Sequence, residues 1–229
     1  MFIIGGVQKS SLIDFPHKIA AIVFTQGCNF SCGYCHNPEL IDFSLKSHFG
    51  YNEFFEFLNT RKGKLDGVVL TGGEPTLQSS LRDFIIRIKE LGFEVKLDTN
   101  GTNPSVLEKL ISENLLDYIA MDIKAPWEKY ALITRTEIAT ENLKKSVDLI
   151  MSSKVDYEFR TTVVKSQLSF EDFEKIGEQI NGAKRYYLQK FVPSKILDKS
   201  LENEKTYSDE EFAVIREELR NYIKLVGVR

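Results

Sequence analysis

The three cysteines of this chain, Cys28, Cys32 and Cys35, lie within eight positions, and the other 221 of its 229 residues contain none. An odd, clustered set with no export signal beside it is a poor disulfide framework. Thiolates are soft ligands suited to zinc or to iron–sulfur clusters. A closed zinc site wants four ligands, so zinc would need a histidine to complete it. His36 sits too near Cys35 in sequence for an easy fourth corner. On a four-iron cluster, three thiolates leave one iron without a protein ligand, and that open position is what a reaction requires.

The other residue types that could do chemistry recur at a fixed place in the pattern. Glu74 follows one apolar run, Asp98 and Thr99 end the next, and Asp122 and Lys124 end the one after; Arg160 and Gln189 fall within two more. Those runs are the strand candidates Ile19–Thr25, Gly67–Thr71, Glu94–Thr99, Tyr118–Ile123, Tyr157–Val164 and Arg185–Val192. Continuously apolar stretches such as Ala20-Ala21-Ile22-Val23-Phe24 suit parallel strands covered on both faces. Between them lie helical patterns: Leu81, Phe84, Ile85, Ile88 and Leu91 share one face, as do Leu143, Val147, Ile150 and Met151. Asn103-Pro104 and Ser169 supply helix starts. A last helix opens with the capping box Ser208 and Glu211 and runs its stripe from Phe212 to Val226.

Six strand–helix alternations predict an α/β fold of parallel strands. Polar groups gathered at successive strand C-termini favour a partial TIM-type (β/α)6 barrel, in which they converge on one mouth, with a C-terminal helix to follow. We read residues 1–229 as a single domain: a barrel core over 19–192, then a loop and helix over 193–229, with Ser194–Tyr207 as a surface loop. The chain is 42% hydrophobic and 28% charged, with net charge −3. That balance argues against a nucleic-acid binder working through a basic field. Neither a signal peptide nor an apolar run of spanning length is visible, so a cytoplasmic location and no membrane partner are expected.

The CxxxCxxC spacing, with Tyr34 just before the last cysteine, resembles the radical SAM (S-adenosylmethionine) superfamily. Thr71-Gly72-Gly73-Glu74-Pro75 resembles its GGE motif, where backbone carbonyls and the glutamate bind the SAM amino group; glycines there let backbone approach a ligand closely. Asp98-Thr99-Asn100-Gly101 and Met121-Asp122-Ile123-Lys124 resemble the strand ends of glycyl-radical-enzyme activases. In those proteins the aspartate and lysine contact SAM, and paired aspartates can surround a monovalent cation. The segment Gly6–Pro16, with residues 24–30 and 35–40, resembles the longer anaerobic ribonucleoside-triphosphate reductase activating proteins; His17 stands where that family leads us to expect glycine.

The resemblance implies a [4Fe-4S] cluster on Cys28, Cys32 and Cys35, and SAM bound by Tyr34, Gly72, Gly73, Glu74, Asp98, Asp122, Lys124 and Arg160. Arg160 would be costly in a barrel lumen without an anionic partner, which the SAM carboxylate would supply. It further implies reductive SAM cleavage, a glycyl radical enzyme as protein substrate, and a flavodoxin- or ferredoxin-type electron donor. No further protein nucleophile or base is called for. A radical SAM enzyme acting on a small molecule or RNA, and a non-catalytic metal or electron-transfer module, are the alternative readings.

Overall fold

The computed structural model describes residues 2–44 and 49–229. Eight strands form one sheet in sequence order: β1 (Ile4–Ser11), β2 (Ala20–Thr25), β3 (Gly67–Gly72), β4 (Glu94–Thr99), β5 (Tyr118–Asp122), β6 (Asp156–Val163), β7 (Tyr186–Lys190) and β8 (Val226–Val228). The pairs from β2 to β8 are parallel, and only β1 runs antiparallel, against β2. The intervening helices are α1 (Tyr51–Asn59), α2 (Leu81–Glu90), α3 (Pro104–Ser112), α4 (Tyr130–Thr134), α5 (Thr140–Ser152), α6 (Phe170–Gln179) and α7 (Asp209–Leu219). All six anticipated strands are present.

The two faces of the sheet bury different things. Alternate residues such as Val68, Leu70, Val95, Leu97, Ile119 and Phe159 join the helices in one large apolar cluster. Helix α2 adds Leu81, Phe84, Ile85 and Ile88, and Phe84 stacks on Phe2 with ring centroids 3.8 Å apart. Each such side chain contributes roughly 1.5–3 kcal/mol by leaving water. The opposite face carries a smaller cluster of Phe15, Ala20, Ile22, Val69 and Tyr118, with polar residues above it. Phe15 touches Tyr118 across that face, at 6.1 Å between rings. Residues of the β1–β2 turn and of β7 and Arg229 line one cavity of about 830 Å3. The sheet therefore curls into a partial barrel whose end strands, β1 and β8, do not pair.

Three sequence expectations change. Strand β1 is additional; its glycines and polar residues, Gly5-Gly6-Val7-Gln8-Lys9-Ser10, hide an edge strand from a hydrophobicity reading. The last helix stops at Leu219 rather than reaching Val226. Its backbone groups find other partners: the Gly182 N–H donates to the Tyr222 carbonyl at 2.8 Å and the Lys224 N–H to that of Ala183 at 3.1 Å. Val226-Gly227-Val228 then joins the sheet beside β7. Finally, Asn103 makes no side-chain cap on α3, because its amide donates to Thr76. The capping box at Ser208 and the Ser169 cap form as anticipated, and Ser169 also closes a box with Asp172.

His17 has φ 61°, in the left-handed region that side chains seldom occupy. That conformation explains why glycine suits the position.

Candidate active site

Strand β2 ends at Thr25, and the chain enters a loop pinned by its own far end. The Gly27 N–H donates to the Leu40 carbonyl at 2.7 Å and the Cys28 N–H to that of Ile41 at 3.2 Å. The buried Gln26 side chain donates to the Glu39 and Asp42 carbonyls at 2.8 and 2.6 Å. Within the loop the Cys35 N–H donates to the Cys32 carbonyl at 2.9 Å, and the Phe30 N–H points at the Cys28 sulfur at 3.4 Å. All three thiols are free, with Cys32 buried. Burial pushes the Cys28 thiol up to about 12, and raises Cys32 and Cys35 as well. A soft metal centre would displace those protons.

The GGE turn after β3 is stitched to this loop. The Glu74 N–H donates to the Gly27 carbonyl at 2.7 Å, and the Gly73 N–H to that of Thr25 at 2.9 Å. A Cβ on Gly73 would lie 2.0 Å from the Gly27 oxygen, so only glycine permits the approach. Gly72 has φ 112°, open only to glycine. The Glu74 carboxylate points inward. It accepts from the Thr76 N–H and hydroxyl at 3.0 and 2.6 Å, the Thr99 hydroxyl at 2.7 Å and the Asn100 N–H at 2.6 Å. Burial pushes its carboxyl up, and those four donors oppose the shift.

Below the cysteine loop the lumen holds a ladder of alternating charge. Lys96 pairs with Asp98. Asp98 accepts from Arg160 at 3.0 Å, Arg160 donates its Nε to Asp122 at 2.9 Å, and Asp122 meets Lys124 at 3.0 Å. The β5–β6 register sets Asp122 directly opposite Arg160. Burial works against the Asp122 charge, but Arg160 and Lys124 outweigh it and hold the carboxyl down at about 2. Desolvation would lower Arg160, and Asp122 and Asp98 more than reverse that. One rung lower, Glu158 takes a two-pronged pair from Arg229 at 2.9 and 3.0 Å and the Tyr118 hydroxyl at 3.0 Å.

A pocket of about 180 Å3 opens where these pieces meet. Cys28, Cys32, Cys35, Tyr34, Gly72, Gly73, Glu74, Asp98, Asp122 and Lys124 all line it. Arg160 does not; it stands below, against the larger cavity. The anionic partners that Arg160 needs in the lumen are here supplied by the chain itself, Asp98 and Asp122. Lys96 was missed, though it shares Asp98's face by the two-residue period of a strand. Asn29, Asn100 and Thr102 form a hydrogen-bonded group joining the cysteine loop to the end of β4, at 2.7 to 3.0 Å. Nothing in their types or spacing announces it.

The pocket's chemistry suits an iron–sulfur centre beside a zwitterionic ligand. Among the described residues no three Cys, His, Asp or Glu side chains converge on a point one ion could occupy. A four-iron cluster would bind each thiolate to a separate iron and needs no single focus. His48 lies outside the described residues. The Tyr34 hydroxyl is buried without a partner, an orphan of the kind a ligand would satisfy.

A partial α/β barrel whose mouth gathers three free thiols, a glycine turn and paired charges is an architecture made for a bound cofactor. The chain belongs to the Radical SAM superfamily, whose profile matches residues 22–180. It is therefore a radical SAM enzyme, and membership implies a [4Fe-4S] cluster and SAM. A relative in Methanocaldococcus jannaschii, provisionally named a glycyl-radical enzyme activating enzyme, is 34% identical over 99% of this chain and 95% of its own length. The pyruvate formate-lyase-activating enzyme of Clostridium pasteurianum is 32% identical over 53% of the chain and 52% of its own length. Among solved structures, a domain of a pyruvate-formate lyase-activating enzyme from Bacteroides vulgatus shares the fold with TM-score 0.58 at 16% identity, covering 71% of this chain and 98% of that one. Streptococcus suis SuiB, bound to its precursor peptide, gives TM-score 0.68 at 16% identity; it matches 90% of this chain, which spans only 47% of SuiB.

Proposed function

We propose that this enzyme installs a glycyl radical on a partner enzyme, and that the partner is an anaerobic ribonucleoside-triphosphate reductase. The observation that carries the activase reading is the full-length match to a relative named for glycyl-radical activation. The reductase as partner rests on the sequence of Gly6–Pro16 and the segments around the cysteines. In this reading Cys28, Cys32 and Cys35 would hold the cluster and leave one iron open to SAM. Given one electron from a flavodoxin- or ferredoxin-type donor, the cluster and SAM would supply the radical chemistry that removes a hydrogen atom from the substrate.

The chain's own task is to bind, orient and exclude water. Gly72 and Gly73 offer backbone acceptors to the SAM ammonium. Glu74 adds negative charge from behind the turn, its own lone pairs being shared among four protein donors. Lys124, at the top of the ladder, faces the pocket and is placed for the SAM carboxylate. Asp98 and Asp122 hold Arg160 between them, so a guanidinium stands where a monovalent cation could otherwise sit, and we assign no such ion. Tyr34 lines the pocket, and its buried hydroxyl would offer the bound ligand a hydrogen bond. β1 and β8 stand at opposite ends of the sheet, and an opening between them would admit a loop of another protein. The reaction belongs in the cytoplasm, where a glycyl radical partner would be found, and no helix among the described residues is long and apolar enough to cross a membrane.

The test is anaerobic incubation of the reduced, SAM-loaded enzyme with the reductase, followed by electron paramagnetic resonance (EPR). A glycyl-radical doublet that disappears when the partner's radical glycine is changed to alanine is expected. SAM cleavage without a radical on this or any other glycyl radical enzyme would overturn the activase reading and favour a small-molecule substrate.

A further inference from the structure

The stretch Ser194–Tyr207 reads in the sequence as a polar surface loop, yet it lies along the back of the cysteine loop. The Leu197 N–H donates to the Cys35 carbonyl at 3.1 Å, and the Asp198 N–H to the Gly33 carbonyl at 2.9 Å. Lys195 reaches Glu39 at 2.7 Å. Asp198 pairs with Arg135, the residue that ends α4 in the left-handed conformation with φ 55°. The other Asp198 oxygen accepts the Ser200 N–H at 2.9 Å and starts a short turn that buries Leu201. Arg135 and Leu201 together press on Gly33: a Cβ there would meet the guanidinium at 2.9 Å and the leucine at 3.1 Å. The far end is tied down by Lys165 and Lys205 at 2.9 Å and by Thr206 on the Val163 carbonyl at 2.9 Å.

We propose that residues 193–201 form a strap, clasped by Arg135 and Asp198, that positions the Cys32–Cys35 turn and shields the iron–sulfur centre from water and oxygen. This rests on the assignment of the three cysteines as cluster ligands. The physical argument lies in the peptide planes. In a trans peptide the N–H points opposite the C=O. By holding the carbonyls of Gly33 and Cys35 outward, the strap turns the N–H groups of Tyr34 and His36 away from itself, toward the inner side of the turn. Amide donors facing cluster sulfurs raise reduction potential and slow ligand loss. Arg135 and Asp198 are thus positioning residues, acting through the loop and not on the substrate. The pair is partly exposed, with side chains 45% and 22% accessible, so its removal changes overall stability little. Its effect concentrates on how often the strap lifts.

The test uses Asp198→Asn, which keeps the Ser200 acceptor, together with Arg135→Gln and the double variant. In the metal-free protein, amide exchange at Leu197 and Asp198 should quicken by about threefold to fivefold, the size expected for one lost surface pair. After reconstitution, the rate of cluster bleaching in air should rise by a similar factor, and the EPR g-values should shift. The thermal midpoint should not move, and the double variant should equal either single one, because both break the same contact. Unchanged exchange, or faster exchange with an unchanged cluster lifetime, would overturn the strap. A wild-type protein that assembles no cluster would instead sink the ligand assignment, and the strap's protective role with it.

Discussion

Arg160 on β6 donates to Asp98 on β4 at 3.0 Å, reaching across the lumen over the intervening strand β5. That bond, with its neighbour to Asp122, makes a guanidinium the rung that joins two local pairs, Lys96 with Asp98 and Asp122 with Lys124. Removing it leaves two carboxylates facing each other in a half-dry space. Arg160→Met should destabilise the fold by about 3 kcal/mol. SAM affinity should fall by roughly tenfold to a hundredfold, since Lys124 would turn to serve the freed carboxylates. Urea unfolding and equilibrium dialysis with labelled SAM check the two effects; undiminished SAM affinity would remove Arg160 from the site's electrostatics.

The acid limb of stability should carry a signature of Asp122. Its pKa is lowered from 3.8 to about 2 in the folded state. A depressed carboxylate stabilises above the unfolded value and loses that contribution as pH falls through the folded one. The window is therefore pH 4 down to pH 2, and the loss is at most about 2 kcal/mol, because part of the group meets solvent. Asp122→Asn should be less stable at pH 7 and flatter across that window, read by thermal melts at stepped pH. An unaltered slope would mean another group sets the acid limb.

Glu74 is a buried hub as well as a site residue. Glu74→Gln places an NH2 group against donors, costing about 1–3 kcal/mol. Glu74→Ala should weaken SAM binding while iron loading persists, because the cysteine loop retains its bonds to Leu40 and Ile41. Loss of iron in the alanine variant would make the turn a prop for the cysteines and not a ligand site.

Gly73→Ala tests the seam between the two motifs. Its methyl would lie 2.0 Å from the Gly27 oxygen, so the backbone must part. We expect iron incorporation to fall severalfold. Normal iron content would show that the seam tolerates parting.

The fold was largely legible because parallel strands buried on both faces are continuously apolar, as in Ala20–Phe24. The same logic failed at β1, whose polar edge has no buried second face, and at Val226–Val228, too short to stand out from the helical stripe before it. The site was legible wherever a residue type is chemically scarce: three cysteines, a double glycine, charges ending apolar runs. Glu74's inward turn was not, because pattern alone does not say whether a carboxylate faces a ligand or its own neighbours. The strap was invisible for a related reason. It is bonded through backbone groups that every residue carries, and Arg135 and Asp198 are 63 positions apart.

The most direct test of the central claim is the EPR spectrum of anaerobically reconstituted, reduced protein, recorded with and without SAM beside its iron and sulfide content. The account expects a four-iron signal whose shape changes when SAM is added, and its absence in Cys32→Ala. A four-iron signal indifferent to SAM, or full assembly in Cys32→Ala, would contradict an open iron held by Cys28, Cys32 and Cys35.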